Sequence, residues 1–161
     1  HWTFAPMMDV GRDPRWGRVM EGAGEDTWLG AKIAAARVKG FQGEDLSKNN
    51  TILACAKHFA AYGATESGRE YNTTELSERQ LREVYLPPFK AAAEAGIGTY
   101  MNAFNAISGV PASGHAHLVK DILKGEWGFK GFVVSDWESI SEMINHGVAA
   151  DSMEAAYKGI I

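Results

Sequence analysis

The sequence has few of the features that mark specialised classes of protein. Its 161 residues include one cysteine, Cys55, so the chain has neither a disulfide framework nor a cysteine-based metal site. The flanking residues, Ala54 and Ala56, indicate a buried structural thiol rather than a reactive one. No apolar run approaches the roughly 20 residues of a transmembrane helix, and no signal-peptide pattern is present.

An excess of one charge is also missing. The 16 basic and 20 acidic residues are mixed along the chain, which excludes a basic stripe for nucleic acid and a polybasic patch for membranes. The glycines form no dinucleotide-binding or P-loop motif, and the histidines form no strong metal motif. We therefore expect no cofactor and no metal, and the predicted partner is a neutral small molecule.

Both ends of the chain are predicted to be truncated. The sequence begins at His1 without an initiator methionine and enters an apolar run at once. It stops at residues 157–161, within or just after a helical pattern and without a stop signal. We therefore expect the chain to be part of a longer protein.

Short apolar runs alternate with helical patterns. The runs predicted to be buried strands are 2–6, 52–56, 98–104 and 131–135. Helices are predicted over 26–39 with Gly40 as cap, over 77–95 with a kink or break at Pro87 and Pro88, and over 115–124. Capping boxes are predicted at Ser77 and Ser139, the latter opening a helix that ends at Gly147, and Asp151 is predicted to cap a last helix.

This alternation predicts an α/β fold with a parallel sheet and helical crossovers. A (β/α)8 barrel needs about 250 residues, so the predicted strands would supply about half of one. A doubly wound open sheet is the competing architecture, and the pattern does not separate the two. In either fold the loops after the carboxyl ends of the strands build the active site.

The predicted strand ends deliver polar and aromatic groups suited to a sugar. Asp136 follows an apolar strand, where it is either a reacting carboxylate or a turn residue. Trp137 either stacks on a sugar or, as the residues slightly favour, packs against the fold. Lys57 and His58 either donate hydrogen bonds to hydroxyl groups or pair with carboxylates inside the protein.

A loop over 12–18 carries three arginines around one aspartate. We interpret Arg12, Asp13 and Arg15 as loop-pinning groups that form arginine–carboxylate bridges to Asp13, Glu21 or Glu25. Arg18 is the arginine that we expect to enter the site.

Taken together, these segments resemble family 3 glycoside hydrolases of the β-glucosidase branch. The resemblance runs nearly end to end through separate blocks in the same order: 4–6, 12–18, 24–26, 57–59, 77–88, 109–111 and 128–137. It implies part of the catalytic (β/α)8 barrel and a retaining mechanism in which Asp136 attacks the anomeric carbon. Related bacterial enzymes are often periplasmic, so the resemblance implies a periplasmic or secreted location.

The resemblance also implies roles for other residues. Arg18, Lys57 and His58 match positions that hydrogen-bond the sugar at the cleavage point. The pocket around that sugar would be lined by Met101, Phe104 and Trp137, with Phe104 in place of a frequent tyrosine. The general acid/base would be a glutamate from a following α/β sandwich domain that this chain lacks, so the isolated chain should be inactive.

Other interpretations remain open. In the N-acetylglucosaminidase branch a loop histidine transfers the proton, within a pattern resembling KHFPGHG. Residues 57–63 here read KHFAAYG and depart from that pattern, which favours the β-glucosidase branch, while Glu66 and Glu70 remain as nearby carboxylates. A non-catalytic sugar-binding remnant would keep Arg18, Lys57 and His58 without turnover. As half a barrel, the chain alone should be poorly stable or prone to associate.

Overall fold

The computed structural model describes residues 1–160. The strands in chain order are β1 (Cys55–Phe59), β2 (Thr73–Thr74), β3 (Thr99–Asn102), β4 (Ala106–Ile107), β5 (Val110–Pro111) and β6 (Phe132–Val134). The principal sheet is parallel, with neighbouring strands in the order β1-β3-β6. A second, smaller sheet has the order β2-β4-β5 and was not expected from the sequence.

The first predicted strand lies beside β1 but is not continuous. Parallel bridges join Trp2 to Leu53 and Met7 to Lys57, and backbone hydrogen bonds connect the two segments between these points. Pro6 lies within this stretch, and because proline has no N–H it interrupts a regular ladder. The neighbours in the sheet therefore follow chain order without reversal, which favours a segment of a (β/α)8 barrel over a doubly wound sheet.

The helices are α1 (Thr27–Gln42), α2 (Glu78–Gln80), α3 (Pro87–Glu94), α4 (Glu142–Asn145) and α5 (Ser152–Gly159), with π-helical segments at Leu81–Tyr85 and His117–Glu126. The predicted cap at Gly40 is wrong, because the last residue of α1 is Gln42. The C-cap is Gly43, whose φ is +57°. The break predicted near Pro87 appears as a π-helical segment that ends just before the prolines.

The capping predictions had mixed outcomes. The hydroxyl of Ser77 accepts a hydrogen bond from the backbone N–H of Gln80, and the carboxylate of Asp151 accepts one from Glu154, as predicted. The prediction of a capping box at Ser139 is wrong. The Ser139 side chain is buried and hydrogen-bonds the hydroxyl of Ser113 at 2.9 Å, so the helix begins only at Glu142.

The main core lies between the sheet and its covering helices, and includes Val38, Phe59, Phe89, Tyr100 and Leu118. Gln42 ties the amino ends of β1 and β3 together. Its amide nitrogen donates to the carbonyl of Gly96 at 2.9 Å, and its oxygen accepts from Ala54 and Gly98. Thr99 donates to the carbonyl of Ala54 at 2.8 Å. These neutral, fully bonded groups fix the strands at one end.

Two glycines meet where β3 and β6 begin. A Cβ at Gly131 would lie 2.0 Å from the carbonyl oxygen of Gly98, and a Cβ at Gly98 would lie 2.3 Å from Leu53 Cδ1. Gly131 therefore has no room for a side chain in this backbone arrangement, whereas a side chain at Gly98 would require the flexible side chain of Leu53 to move. The close approach sets the spacing of the two strands just before β6 leads to Asp136.

Candidate active site

A buried histidine joins two carboxylates at the carboxyl ends of the strands. His58 Nδ1 lies 2.9 Å from Asp9 Oδ2, and Nε2 lies 3.3 Å from Asp136 Oδ2. The same Asp9 oxygen accepts a hydrogen bond from the backbone N–H of His58 at 2.9 Å. The side chains of His58 and Asp9 are buried, whereas that of Asp136 is 15% exposed. Asp136 is thus the member of this group that can reach a ligand.

The two oxygens of Asp136 have different surroundings. Oδ1 accepts the backbone N–H of Trp137 at 2.7 Å. Oδ2 is buried, and among residues 1–160 it has the ion-pair contact with His58 but no hydrogen bond of good geometry. In this conformation Oδ1 is therefore the oxygen available to an incoming group.

Several buried polar atoms at this end of the sheet have no hydrogen-bond partner within the described part of the chain. They include Asp9 Oδ1, Asn102 Oδ1 and Asn105 Oδ1. Unpaired buried oxygens cost free energy, and in native proteins they are few. Unpaired buried oxygens of this kind are more typical of a functional site than of a scaffold.

Arg18 lies on one side of this group. It forms a two-pronged ion pair with Glu21, with N–O distances of 2.7 and 2.9 Å, and its guanidinium carbon lies 5.6 Å from the ring centre of Tyr62. The hydrogen bond from Arg18 lowers the pKa of Glu21, and the same bond raises the pKa of Arg18. Arg18 is therefore a fixed cation with part of its side chain still exposed.

The buried ring of Tyr62 connects several parts of the site. Its centroid lies 5.0 Å from that of His58 and 5.6 Å from that of Phe104. The hydroxyl donates a 3.3 Å hydrogen bond to Glu70. Burial, and after it the charge of Glu70, raises the pKa of Tyr62, so the phenol stays protonated and serves as a donor.

The remaining predicted site residues differ in exposure. Met101 and Phe104 are buried, Lys57 is half-buried beside His58 in β1, and Trp137 is 80% exposed. The slightly favoured packing role for Trp137 is therefore wrong for residues 1–160. Arg15 and Asp13 form the predicted loop bridge at 2.7 Å, which lowers the pKa of Asp13 to about 2.

Sequence reasoning overlooked Asp9 and Tyr62, and it named Glu21 only as a partner of the loop-pinning arginines, whereas the structure pairs it with Arg18. Asp9 did carry a signal, because it is a carboxylate inside the apolar stretch Met7–Met8–Asp9–Val10, and a buried charge requires a partner. Its partner, His58, is distant in sequence. Roles in sugar binding for Arg18, Lys57, His58, Met101, Phe104 and Trp137 stay predictions.

The arrangement offers a partly exposed carboxylate, fixed cations and aromatic rings. Residues 1–160 contain no group of three or more His, Cys, Asp or Glu side chains placed to hold a metal ion. No helix in the same range is long and apolar enough to cross a membrane. A carboxylate at a strand end with buried support is chemically suited to nucleophilic or general-base work.

Comparison with known proteins gives consistent matches. The model of the glycosyl hydrolase family 3 N-terminal domain matches residues 1–160. A periplasmic β-glucosidase of Salmonella typhimurium is 50% identical over 153 residues, or 95% of this chain and 20% of that protein. A β-xylosidase of Formosa agariphila is 41% identical over 98% of this chain and 22% of its own length.

The solved structure of a β-glucosidase from Listeria innocua in complex with glucose superposes with a TM-score of 0.96. It is 49% identical, and the match covers 99% of this chain and 22% of that one. This likeness identifies the fold as part of a (β/α)8 barrel. The chain spans about a fifth of the length of the curated relatives it matches.

Proposed function

The chain belongs to family 3 of the glycosyl hydrolases, and from that premise we propose that it forms part of a retaining β-glucosidase with Asp136 as nucleophile. The observation that carries this proposal is the position of Asp136, which follows β6 and has one oxygen available beside a buried histidine and aspartate. The 50% identical relative bears the name periplasmic β-glucosidase, and the Listeria innocua structure contains glucose.

In the proposed first step, Asp136 Oδ1 attacks the anomeric carbon of a terminal β-linked glucose. The bond from that carbon to the leaving-group oxygen breaks, and a general acid protonates the oxygen. In the second step water attacks the same carbon and regenerates the carboxylate, while the former acid accepts the proton of the water. Configuration is retained because each step inverts it once.

The general acid/base needs to lie about 5–5.5 Å from the nucleophile in a retaining enzyme. We assign it to the rest of the parent protein, as the resemblance implies, in a following domain. The same parent protein would complete the barrel, of which residues 1–161 form one part. We also propose a periplasmic or secreted location, supported by the name of the Salmonella typhimurium relative. Fractionation of the source cells tests it.

Sugar contacts are proposed for groups around Asp136. Arg18, already oriented by Glu21, and Lys57 supply charged donors for hydroxyl groups. Trp137 offers an exposed ring for stacking on the apolar face of a sugar. Met101 and Phe104 would form the pocket wall. His58 would hydrogen-bond the sugar only if one of its ring nitrogens leaves its carboxylate neighbour, Asp9 or Asp136, and contacts a sugar hydroxyl instead.

The test is to trap the glycosyl-enzyme in the full-length parent protein with an activated 2-deoxy-2-fluoro-β-glucoside and to map the labelled peptide. We expect one label, on Asp136, and none on the Asp136→Asn variant. Glucose in excess should slow the labelling. A label on another residue rejects the assignment.

A parallel assay of aryl β-glucoside and aryl β-xyloside hydrolysis addresses the sugar. The glucosidase relative is more similar to this chain than the xylosidase relative, at 50% against 41% identity. We therefore expect the larger kcat/KM with the glucoside. A larger value with the xyloside would contradict the assigned sugar but not the nucleophile, and absence of turnover of both by the full-length protein would favour the non-catalytic remnant.

A further inference from the structure

The buried pair behind Asp136 has a directional arrangement. A carboxylate can only accept hydrogen bonds, so Asp9 Oδ2, at 2.9 Å from His58 Nδ1, requires a proton on that nitrogen. Asp9 Oδ2 also accepts the backbone N–H of His58 at 2.9 Å. One oxygen thus holds both the main chain and the ring of the same residue.

This double contact fixes which ring atom faces the nucleophile. With Nδ1 directed at Asp9, Nε2 is the ring nitrogen that lies 3.3 Å from Asp136 Oδ2. A ring flip would exchange nitrogen for carbon at both carboxylates. The edge-on ring of Tyr62, with centroids 5.0 Å apart, further confines the imidazole, and burial of His58 leaves little space for other rotamers.

Resting on the function proposed above, we propose that Asp9 is a positioning residue for the nucleophile and acts through His58. With the ring fixed by Asp9, its Nε2 atom lies 3.3 Å from Asp136 Oδ2 and confines that oxygen. This contact limits rotation of the Asp136 carboxylate and leaves Oδ1 directed at the substrate. Asp9 itself is buried and does not reach the sugar.

The proposal distinguishes two roles of His58. If His58 serves the sugar, loss of Asp9 should raise KM. If His58 serves Asp136, the same loss should lower kcat and the rate of trapping, because attack requires a correctly placed oxygen. Misplacement of a reacting group by about 1 Å can cost about 10²-fold in rate.

The test uses the full-length parent protein with Asp9→Ala and Asp9→Asn. Asp9→Ala removes both hydrogen bonds. Asp9→Asn can retain them, because its amide oxygen can replace Oδ2 while its NH2 group replaces the unpaired Oδ1, but it removes the charge. Asp13→Ala is the matched control, since Asp13 pairs with Arg15 in a neighbouring loop.

For Asp9→Ala we expect kcat on an aryl β-glucoside to fall by about 10²-fold with KM nearly unchanged. Asp9→Asn should lose less, and Asp13→Ala should match wild type. Trapping by the 2-fluoro-glucoside should be slower in the Asp9 variants but still reach one label per chain. A merely structural role would instead lower the number of labelled sites.

Each result decides between the claims. Wild-type trapping rates in both Asp9 variants, or a raised KM at constant kcat, would overturn the positioning role and leave the proposed function intact. Failure of the wild-type protein to turn over or label would overturn the proposed function and this inference with it. If Asp9→Ala does not fold, Asp9→Asn decides, through its trapping rate per labelled site.

Discussion

The two ends of the parallel sheet use polar groups in opposite ways. At the amino ends, Gln42 and Thr99 are neutral, and their hydrogen bonds connect backbone groups of neighbouring strands. At the carboxyl ends, Asp9, His58 and Asp136 bring charge together and leave oxygens of Asp9 and Asp136 unpaired among residues 1–160. The hydrogen bonds at the amino ends hold the strands together, whereas the carboxyl ends keep bonding capacity that the proposed substrate would use.

The largest expected effect comes from Asp136→Asn in the full-length protein. Removal of a covalent nucleophile should lower kcat on an aryl β-glucoside by at least on the order of 10⁴-fold. The free energy of unfolding should not fall, because Asp136→Asn removes a negative charge that the surrounding groups compensate only in part. Steady-state kinetics and thermal melting measure the two effects. The exposed neighbour Glu138 provides the control, Glu138→Gln, and near-normal activity of Asp136→Asn would refute the assignment.

The opposite end should respond in the opposite way. Gln42→Ala removes the hydrogen-bond partner of the buried Ala54 N–H and of the less buried groups of Gly96 and Gly98, and we expect it to destabilise the domain by about 3 kcal/mol. The kcat per folded molecule should stay constant. Denaturant unfolding measures the first quantity and active-site counting the second. Gln80→Ala, on the exposed side of α2, is the matched control. If Gln42→Ala lowered kcat without lowering the free energy of unfolding, the contrast between the two ends of the sheet would be wrong.

The reactivity of the Cys55 thiol reports whether reagents can reach the start of β1. Burial raises the pKa of this thiol to about 11 from an ordinary 9.0. The reactive thiolate at pH 8 should therefore be about 10²-fold scarcer than for a free thiol, before access is considered. We expect Ellman's reagent to modify Cys55 slowly in native protein and rapidly after unfolding, as followed by peptide mapping. Rapid native labelling would show that this end opens.

The smallest effect concerns the outer helical layer. Hydrogen bonds to Asp121 and Glu78 raise the pKa of His117. Its stabilising contribution is therefore complete below the unfolded pKa of about 6.5 and is lost as the pH rises through the higher folded value. Because His117 is 43% exposed, solvent screening limits the contribution to about 0.5 kcal/mol.

Unfolding of wild type and His117→Gln at pH 5.5 and pH 8.5 measures this contribution. Wild type should be the more stable protein at the lower pH, and the difference should vanish at the higher pH. A difference that grows with pH would contradict the sign. The result would also show how small a surface ion pair is beside the buried groups at either end of the sheet.

The sequence was sufficient for the fold class and for the nucleophile as a candidate, because strand periodicity and the apolar run before Asp136 are local signals. Local rules failed where a distant contact prevailed. Ser139 has the pattern of a cap, yet it bonds Ser113, and Gly40 has the character of a helix end, yet α1 continues so that Gln42 reaches Gly96. Asp9 and His58 pair with each other although they are 49 residues apart, and no local sequence pattern predicts such a pairing.

The contact between Gly98 and Gly131 has a consequence for protein engineering. A library intended to change the proposed substrate range would target the loop around Trp137, whose side chain is exposed. Randomising Gly131 would instead force β6 away from β3, since any Cβ there meets the Gly98 carbonyl. The position of Asp136 therefore depends on packing at the other end of β6, and Gly131 should be kept fixed in a directed-evolution design.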